Sequence, residues 1–116
     1  MTNYIIQGGN RLEGIVNVAG SKNASLPIIG ACILNKGIVE LNGIPDIHDA
    51  KIMFKILENL GCEIIIEYDK IIINSEKAKG YEIPEDLMRE MRSSIMLAGA
   101  ILGRFNKVVF SQPGRL

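Results

Sequence analysis

Residues 20–25, Gly-Ser-Lys-Asn-Ala-Ser, combine a cation, an amide donor and the start of a helix. Ser21 can cap that helix, because its hydroxyl can accept a hydrogen bond from a backbone N–H of the first turn. The unpaired N–H groups and the helix dipole favour an anion there, and Lys22 and Asn23 add a positive charge and a side-chain donor. The pattern predicts a phosphate or carboxylate site, although a solvated polar loop explains it as well. It is not a P-loop, since Gly-x4-Gly-Lys-Ser/Thr is absent.

Arg92 is the second residue with binding chemistry, on a predicted helix beside an apolar stripe. An arginine there can bind a phosphate or carboxylate, or extend along the edge of the core with its guanidinium in water. His48, the only histidine, is interpreted as a surface residue in the first turn of a helix. The sequence shows no Ser/His/Asp set and no pair of metal ligands at usable spacing, so neither a triad nor a metal site is predicted.

Hydrophobic periodicity predicts the elements that position these residues. Strands are expected at 4–7, 14–19, 38–41, 62–68, 70–74 and 107–111, and helices at 23–35, 46–60 and 87–104, with a polar connection at 75–84. From Val16 the order is βαβαββ followed by α and β. This alternation indicates an α/β class with a right-handed parallel pair joined by a helix.

Each predicted helix has its own apolar pattern. The first is apolar nearly all round, which predicts burial on most sides. The second begins after a capping Asp46 and carries the stripe Ala50, Met53, Phe54, Leu57 and Leu60. The third carries the stripe Met88, Met91, Ile95, Ala98, Gly99 and Leu102.

An internal repeat is suggested by an offset of 69 residues. It aligns Ser25 with Ser94, Gly30 with Gly99, Ala31 with Ala100, and Val39 with Val108. The paired Gly-Ala steps predict close approach of a neighbouring element, and the offset also places Arg92 opposite Asn23, so that two equivalent helix starts can meet at one site. Two amphipathic helices that are alike by chance are the alternative explanation. If the repeat is real, one copy is complete and a second has only begun, so we expect a fragment.

Composition excludes several classes of protein. The 116 residues carry 13 basic and 13 acidic side chains, a formal net charge of zero, which argues against nucleic-acid binding. No apolar run reaches the ~18 residues of a membrane span, and the N-terminus does not have the pattern of a secretory signal. Cys32 and Cys62 are expected to be reduced thiols. A cytoplasmic protein that contacts neither nucleic acid nor membrane is therefore expected.

Several motifs together resemble the N-terminal part of the UDP-N-acetylglucosamine 1-carboxyvinyltransferases, an enolpyruvyl transferase family. They are Gly20 to Ile28, Ile44 to Ile47, Leu57 to Gly61, Met91 to Ile95 and Ser111 to Gly114. The Lys22-Asn23 pair distinguishes them from the sister enzyme of the shikimate route, which typically has Lys-Ser. A fragment of that sister enzyme, and a non-catalytic module for nucleotide-sugar binding or assembly, are the alternatives.

The resemblance implies a fold and a reaction. Family members have two domains, each an inside-out α/β barrel of three βαβαββ units. Residues 1–21 would belong to the second domain and 22–116 to part of the first, with repeat one at about 20–86 and a truncated repeat two at about 87–116. The family moves the enolpyruvyl group of phosphoenolpyruvate to the 3-hydroxyl of UDP-N-acetylglucosamine and releases phosphate, with no cofactor or catalytic metal. Lys22 and Asn23 match residues that contact phosphoenolpyruvate, and Arg92 matches a residue that lines the UDP-sugar site.

The chain departs from the family at a catalytic motif. The family has Pro-Gly-Gly-Cys, or Asp in place of Cys, and that last residue donates a proton. Here Pro113-Gly114 is followed by Arg115-Leu116, so no catalytic residue is assigned. We therefore expect an N-terminal fragment that is inactive alone. Its uncovered apolar helices and open sheet edge also predict self-association.

Overall fold

Three antiparallel strands and four α-helices form the described part of the structure, a computed structural model that covers residues 3–91 and 95–110. In chain order the elements are α1 (Lys22–Ala31), a 3₁₀ turn (Cys32–Leu34), β1 (Ile38–Asn42), α2 (His48–Asn59), β2 (Glu63–Ile66), β3 (Lys70–Asn74), α3 (Glu85–Glu90) and α4 (Met96–Phe105). The α/β class predicted from the sequence is confirmed.

The sheet has the order β1-β3-β2, and its register separates a core face from an outer face. Val39, Ile73 and Ile64 are direct partners across the three strands, so their side chains share one face. Ile73 is fully buried, and Val39 and Ile64 pack against the core around it. On the next row Ile65 faces outward and is 55% exposed. The predicted hairpin at 62–74 is confirmed, since β2 and β3 pair antiparallel.

The apolar stripe predicted for the second helix is confirmed in α2. All five of its residues are buried, as are Ile52 and Ile56. The predicted cap is wrong, because Ile47 holds the N-cap position and makes no side-chain cap hydrogen bond. Instead, Oδ1 of Asp46 lies 3.3 Å from Nζ of Lys51. The carboxylate pairs with this exposed cation rather than with a backbone N–H of the helix.

The single third helix predicted at 87–104 is wrong. α3 ends at Glu90, because the next residue, Met91, is extended with a φ of −146° and a ψ of 108°. α4 begins at Met96. This break changes the phase of the apolar stripe. Met88 and Met91 are buried as predicted, but α4 buries Leu97 and Ile101, while the predicted Leu102 is 50% exposed.

The predicted N-terminal strands are also wrong, because residues 3–20 contain no helix or strand. A strand needs a neighbour to pair with its backbone, and residues 3–19 are exposed along their whole length. The parallel pair expected from it is therefore missing from the sheet. A parallel bridge does occur between Glu82 and Val109. Glu82 lies in the segment predicted to be a polar connection, and Val109 lies in the predicted strand 107–111. Ser111, the last residue of that strand, lies outside the described residues. α3 and α4 lie between these two residues in sequence.

α1 is buried on one side only, which corrects the prediction that it is buried on most sides. Leu26, Ile29 and Gly30 face the core, whereas Ile28 is 48% exposed. The expected close approach holds for one of the two paired glycines. A Cβ on Gly30 would lie 3.1 Å from Leu97 Cδ2 of α4, but a Cβ on Gly99 would have no atom within 4 Å.

One polar network links the ends of three elements. The guanidinium of Arg104 donates to the carbonyl oxygen of Ile33 at 3.0 Å, to Ser75 Oγ at 3.2 Å and to the carbonyl oxygen of Glu76 at 3.4 Å. Ser75 is fully buried, and its hydroxyl donates to the carbonyl oxygen of Asn35. The end of α4 is thereby joined to the 3₁₀ turn after α1 and to the residues that follow β3.

Both cysteines are free and buried. Burial raises the pKa of the Cys62 thiol to about 11, an increase that the nearby Arg104 cation partly opposes and the neighbouring Cys32 adds to. Burial also raises the pKa of Cys32. Because the thiolate is the reactive form, both side chains are expected to be unreactive in the folded chain.

Replacing Arg104 with alanine is expected to lower the free energy of unfolding by about 1.5–3 kcal/mol, because charged hydrogen bonds to partly buried acceptors are lost. Urea unfolding followed by circular dichroism measures the change. Arg89→Ala is the matched control, since its guanidinium pairs with the exposed Glu85 at 2.6 Å and is itself exposed, and a loss under about 0.5 kcal/mol is expected. Equal losses in the two variants would contradict the role given to the Arg104 network.

Candidate functional site

The N-terminus of α1 is capped as the sequence predicted. The backbone N–H of Ala24 donates to Ser21 Oγ at 3.2 Å, and the Ser25 N–H donates to the Ser21 carbonyl oxygen at 3.0 Å. The Ser25 hydroxyl, which is buried, also donates to that carbonyl oxygen. The first turn of α1 contains no acidic residue, so the positive end of its dipole is not offset from within the helix.

Gly20 sets where α1 begins. A Cβ at this position would lie 1.9 Å from the carbonyl oxygen of Gly43 and 3.1 Å from Cδ of Pro45. No side chain fits at that distance, so the backbone before α1 and the loop after β1 can approach only because residue 20 is glycine. Gly43 itself has a φ of +74°. Sequence spacing does not indicate that these two positions touch.

Lys22 extends from α1 to the start of α2, where its Nζ lies 2.9 Å from Asp49 Oδ2. The two side chains are 57% and 24% exposed, so the ammonium group remains accessible to a ligand. The pairing of Lys22 with Asp49 was not predicted from the sequence. An Asp in the first turn of one helix can pair with a Lys in the first turn of another only if the two helix starts are adjacent, which sequence spacing alone does not indicate.

A second contact brings the end of α3 to the same place. Nε2 of His48, the residue before Asp49, lies 3.6 Å from Oε2 of Glu90. The His48 side chain is 72% exposed, which agrees with its interpretation as a surface residue. Arg92 comes two residues after Glu90 and lies outside the described residues, as do Ser94 and residues 111–116.

The described part of the site therefore contains one accessible cation beside a capped helix start. Asn23 is exposed in the same turn as Lys22, so an amide and an ammonium group face the solvent together. This arrangement can bind an anionic group, with the Asp49 carboxylate holding Lys22 and competing with the anion for it. The predicted roles of Lys22, Asn23 and Arg92 stay predictions.

A cleft of about 300 Å³ opens on the other side of the β1–α2 loop. Its lining includes Leu41, Ile44 and Phe54 but neither Lys22 nor Asn23, and the lysines in its lining are paired with Asp46 and Glu67. We place the candidate site at the start of α1, since the Lys22 ammonium group is accompanied there by the exposed Asn23 and by the capped first turn of a helix. In the described ranges no three His, Cys, Asp or Glu residues lie close enough to hold a metal ion. The helices within those ranges also include none long and apolar enough to cross a membrane.

Comparison with known proteins identifies similar sequences and similar folds. Residues 6–114 match the family model described as EPSP synthase (3-phosphoshikimate 1-carboxyvinyltransferase). The chain is 43% identical to UDP-N-acetylglucosamine 1-carboxyvinyltransferase 2 of Caldanaerobacter subterraneus subsp. tengcongensis over 114 residues, and 42% identical to the UDP-N-acetylglucosamine 1-carboxyvinyltransferase of Treponema denticola over 115. Each match covers 98% of this chain and 27% of the relative, so the chain spans about a quarter of their length.

The similar fold belongs to the enolpyruvyl transferase NikO from Streptomyces tendae. Its crystal structure superimposes with a TM-score of 0.70 at 24% sequence identity, over 84% of this chain and 23% of that one. At this level of identity the match supports the fold. It agrees with the fold class predicted from the sequence.

Replacing Gly20 with alanine is expected to lower the free energy of unfolding by about 1–3 kcal/mol, because the added Cβ forces the Gly43 carbonyl group away. Gly99→Ala is the matched control, since its Cβ meets open space in a helix, and a gain of about 0.5–1 kcal/mol is expected. Urea unfolding of both variants provides the comparison. A Gly20→Ala variant as stable as the unchanged chain would show that the two loops do not touch.

Proposed function

Since the chain belongs to the EPSP synthase family of enolpyruvyl transferases, we propose that it forms part of the substrate site of a UDP-N-acetylglucosamine 1-carboxyvinyltransferase. The reaction would transfer the enolpyruvyl group of phosphoenolpyruvate to the 3-hydroxyl of UDP-N-acetylglucosamine and release phosphate. It would supply a precursor of peptidoglycan, and so serve cell-wall synthesis in the cytoplasm.

The position of Lys22 is the observation that carries this proposal. Its ammonium group lies between two helix starts, is held by Asp49 at 2.9 Å and remains more than half exposed. Phosphoenolpyruvate carries a phosphate and a carboxylate, and both are anions that a lysine beside free helix N–H groups attracts. Asn23 would donate a hydrogen bond to the same ligand from the same turn.

Arg92 would complete the site from the direction of α3. Glu90 lies 3.6 Å from His48, and His48 is adjacent in sequence to the Asp49 that pairs with Lys22. This chain of contacts supports an arrangement in which Arg92 binds the diphosphate or sugar of UDP-N-acetylglucosamine while Lys22 binds phosphoenolpyruvate. We propose that residues 22–116 belong to the first domain of the family and residues 1–21 to the second.

The chain alone would bind the substrates without catalysing enolpyruvyl transfer. Leu116 stands where the family motif has the proton-donating Cys or Asp, and Arg115 stands where it has glycine. Lys22 is also open to solvent, whereas enolpyruvyl transfer needs a proton donor and a site from which water is excluded.

The description of the family model supplies a second candidate, a fragment of the 3-phosphoshikimate enzyme. The Lys22-Asn23 pair and relatives that are 42–43% identical favour the UDP-sugar enzyme. Competition between UDP-N-acetylglucosamine and shikimate 3-phosphate for the chain separates the two candidates. A chain that binds UDP-N-acetylglucosamine but not phosphoenolpyruvate would support a non-catalytic nucleotide-sugar module instead.

Phosphoenolpyruvate is expected to bind the 116-residue chain and to shift the backbone amide resonances of Lys22, Asn23 and Ala24. Lys22→Ala is expected to raise the dissociation constant at least about fivefold, a modest change because the cation is exposed. Lys51→Ala is the matched control, since Lys51 is 62% exposed and also paired with an aspartate, and a change under about twofold is expected. Equal losses in the two variants would indicate general charge attraction rather than a site at Lys22.

The chain is expected to release no phosphate from phosphoenolpyruvate in the presence of UDP-N-acetylglucosamine. A colorimetric phosphate assay measures this, with a full-length relative as the positive control and a preparation proven free of host enzyme. Turnover that requires both substrates would contradict the proposal that the chain lacks the catalytic donor.

A further inference from the structure

The Lys22–Asp49 ion pair joins two helix starts that differ in charge. Lys22 Nζ lies 2.9 Å from Asp49 Oδ2. The first turn of α1 contains no acidic residue, whereas Asp49 is the acidic residue in the first turn of α2. The dipole of each helix favours negative charge at its start. The start of α2 therefore already has an anion from its own sequence, and the start of α1 does not.

Asp49 is held more firmly than Lys22. Ala50, Ile52 and Met53, which follow Asp49 on α2, are each at most 1% exposed, so the start of α2 is anchored in the core. The Asp49 side chain is 24% exposed and short. Lys22 reaches it through a flexible four-carbon stem and is 57% exposed. When the pair separates, the ammonium group moves and the carboxylate stays.

The pair can separate at low cost, because each partner keeps a favourable position without the other. The Asp49 carboxylate remains in the first turn of α2, where the dipole stabilises it and the N-cap residue Ile47 makes no side-chain cap hydrogen bond. Lys22 belongs to the first turn of α1, where the backbone N–H groups of Lys22 and Asn23 have no acceptor within the helix. An anion bound to those N–H groups lies within reach of the same ammonium group.

We propose, on the basis of the proposed function, that Asp49 occupies the place of the ligand anion on Lys22 in the empty site and takes the ammonium group back when phosphate leaves. An arriving phosphoenolpyruvate must displace the carboxylate, so the site binds it less tightly than Lys22 and the helix start would by themselves. The reverse exchange promotes the release of phosphate. Among variants of one site, a difference in affinity lies mostly in the dissociation rate.

Titration of the 116-residue chain with inorganic phosphate, followed by the backbone amide resonances of Lys22 and Asn23, tests this exchange. Asp49→Asn is expected to lower the dissociation constant about 3- to 10-fold, because the amide keeps the shape of the carboxylate but does not attract the ammonium group by charge. Asp46→Asn is the matched control, since it changes the net charge equally and Asp46 pairs with Lys51 at 3.3 Å. A change under about twofold is expected there. An Asp49→Asn chain that binds phosphate no more tightly than the unchanged chain, or equal gains in both variants, would overturn the proposal.

A double-mutant cycle separates exchange from simple repulsion between Asp49 and the anion. In the Lys22→Ala background, Asp49→Asn is expected to lower the dissociation constant less than about twofold, because no ammonium group is left to be exchanged. The carboxyl carbon resonance of Asp49 is also expected to shift when phosphate is added to the unchanged chain, and to shift less in the Lys22→Ala chain. Equal gains with and without Lys22 would show repulsion alone and overturn the exchange.

Inorganic phosphate carries no enolpyruvyl group, so its binding tests the exchange separately from the proposed function. The expected gain with phosphate, in a chain that does not bind phosphoenolpyruvate, would contradict the proposed function and leave the exchange standing. Phosphoenolpyruvate that binds the unchanged and the Asp49→Asn chains equally would support the proposed function and overturn the exchange. If neither ligand shifts the resonances of Lys22 and Asn23 in either chain, both proposals are wrong.

Discussion

The hydrogen bonds between Arg104, Ser75 and the carbonyl groups around the 3₁₀ turn are the interaction on which the rest of the structure depends. The turn links α1 to β1, and the carbonyl oxygens of Ile33 and Asn35 accept hydrogen bonds from side chains that lie outside the turn. Ser75 and Arg104 satisfy these acceptors from the end of β3 and the end of α4. Without those donors, the Ile33 carbonyl oxygen would lose the Arg104 guanidinium, and the Asn35 carbonyl oxygen would keep only the backbone N–H of Gly37. Loss of a hydrogen bond to a partly buried acceptor is costly.

The opposite end of α1 is positioned by different physics. There the backbone at Gly20 lies against the Gly43 carbonyl group, and the Lys22–Asp49 ion pair joins α1 to α2. Between the two ends, Leu26 and Ile29 are buried in the core. α1 is therefore held along its length, which means that the location of the Lys22 ammonium group follows from the packing of a whole helix rather than from a mobile loop. This is the kind of support that a binding site requires for reproducible geometry.

Local signals predicted much of the fold, and contacts between distant segments account for what they missed. The stripe of α2, the β2–β3 hairpin and the Ser21 cap follow from spacing within a few residues. The break at Met91 does not, because residues 87–104 read as one continuous helical pattern and the burial of Leu97 and Ile101 depends on the neighbours of α4. The pairing of Lys22 with Asp49 also could not be predicted from the sequence, because it requires two helices to begin side by side. In the candidate site, the residue types and the start of α1 were predicted. The contacts of Lys22 with Asp49 and of Gly20 with Gly43 were not.

The two segments that the predicted repeat aligns have different surroundings in the structure. The offset of 69 aligns Gly30 with Gly99, but Gly30 lies against Leu97 while Gly99 faces open space. α1 therefore needs its glycine to let α4 approach, whereas α4 has no neighbour in the described chain that requires one. The aligned strand positions also differ, since Val109 has a parallel neighbour at Glu82, whereas Glu40 pairs with the antiparallel β3 and has no second strand beside it in the described chain. An alignment by sequence offset therefore does not determine what covers a residue, because burial depends on the segments that pack around it.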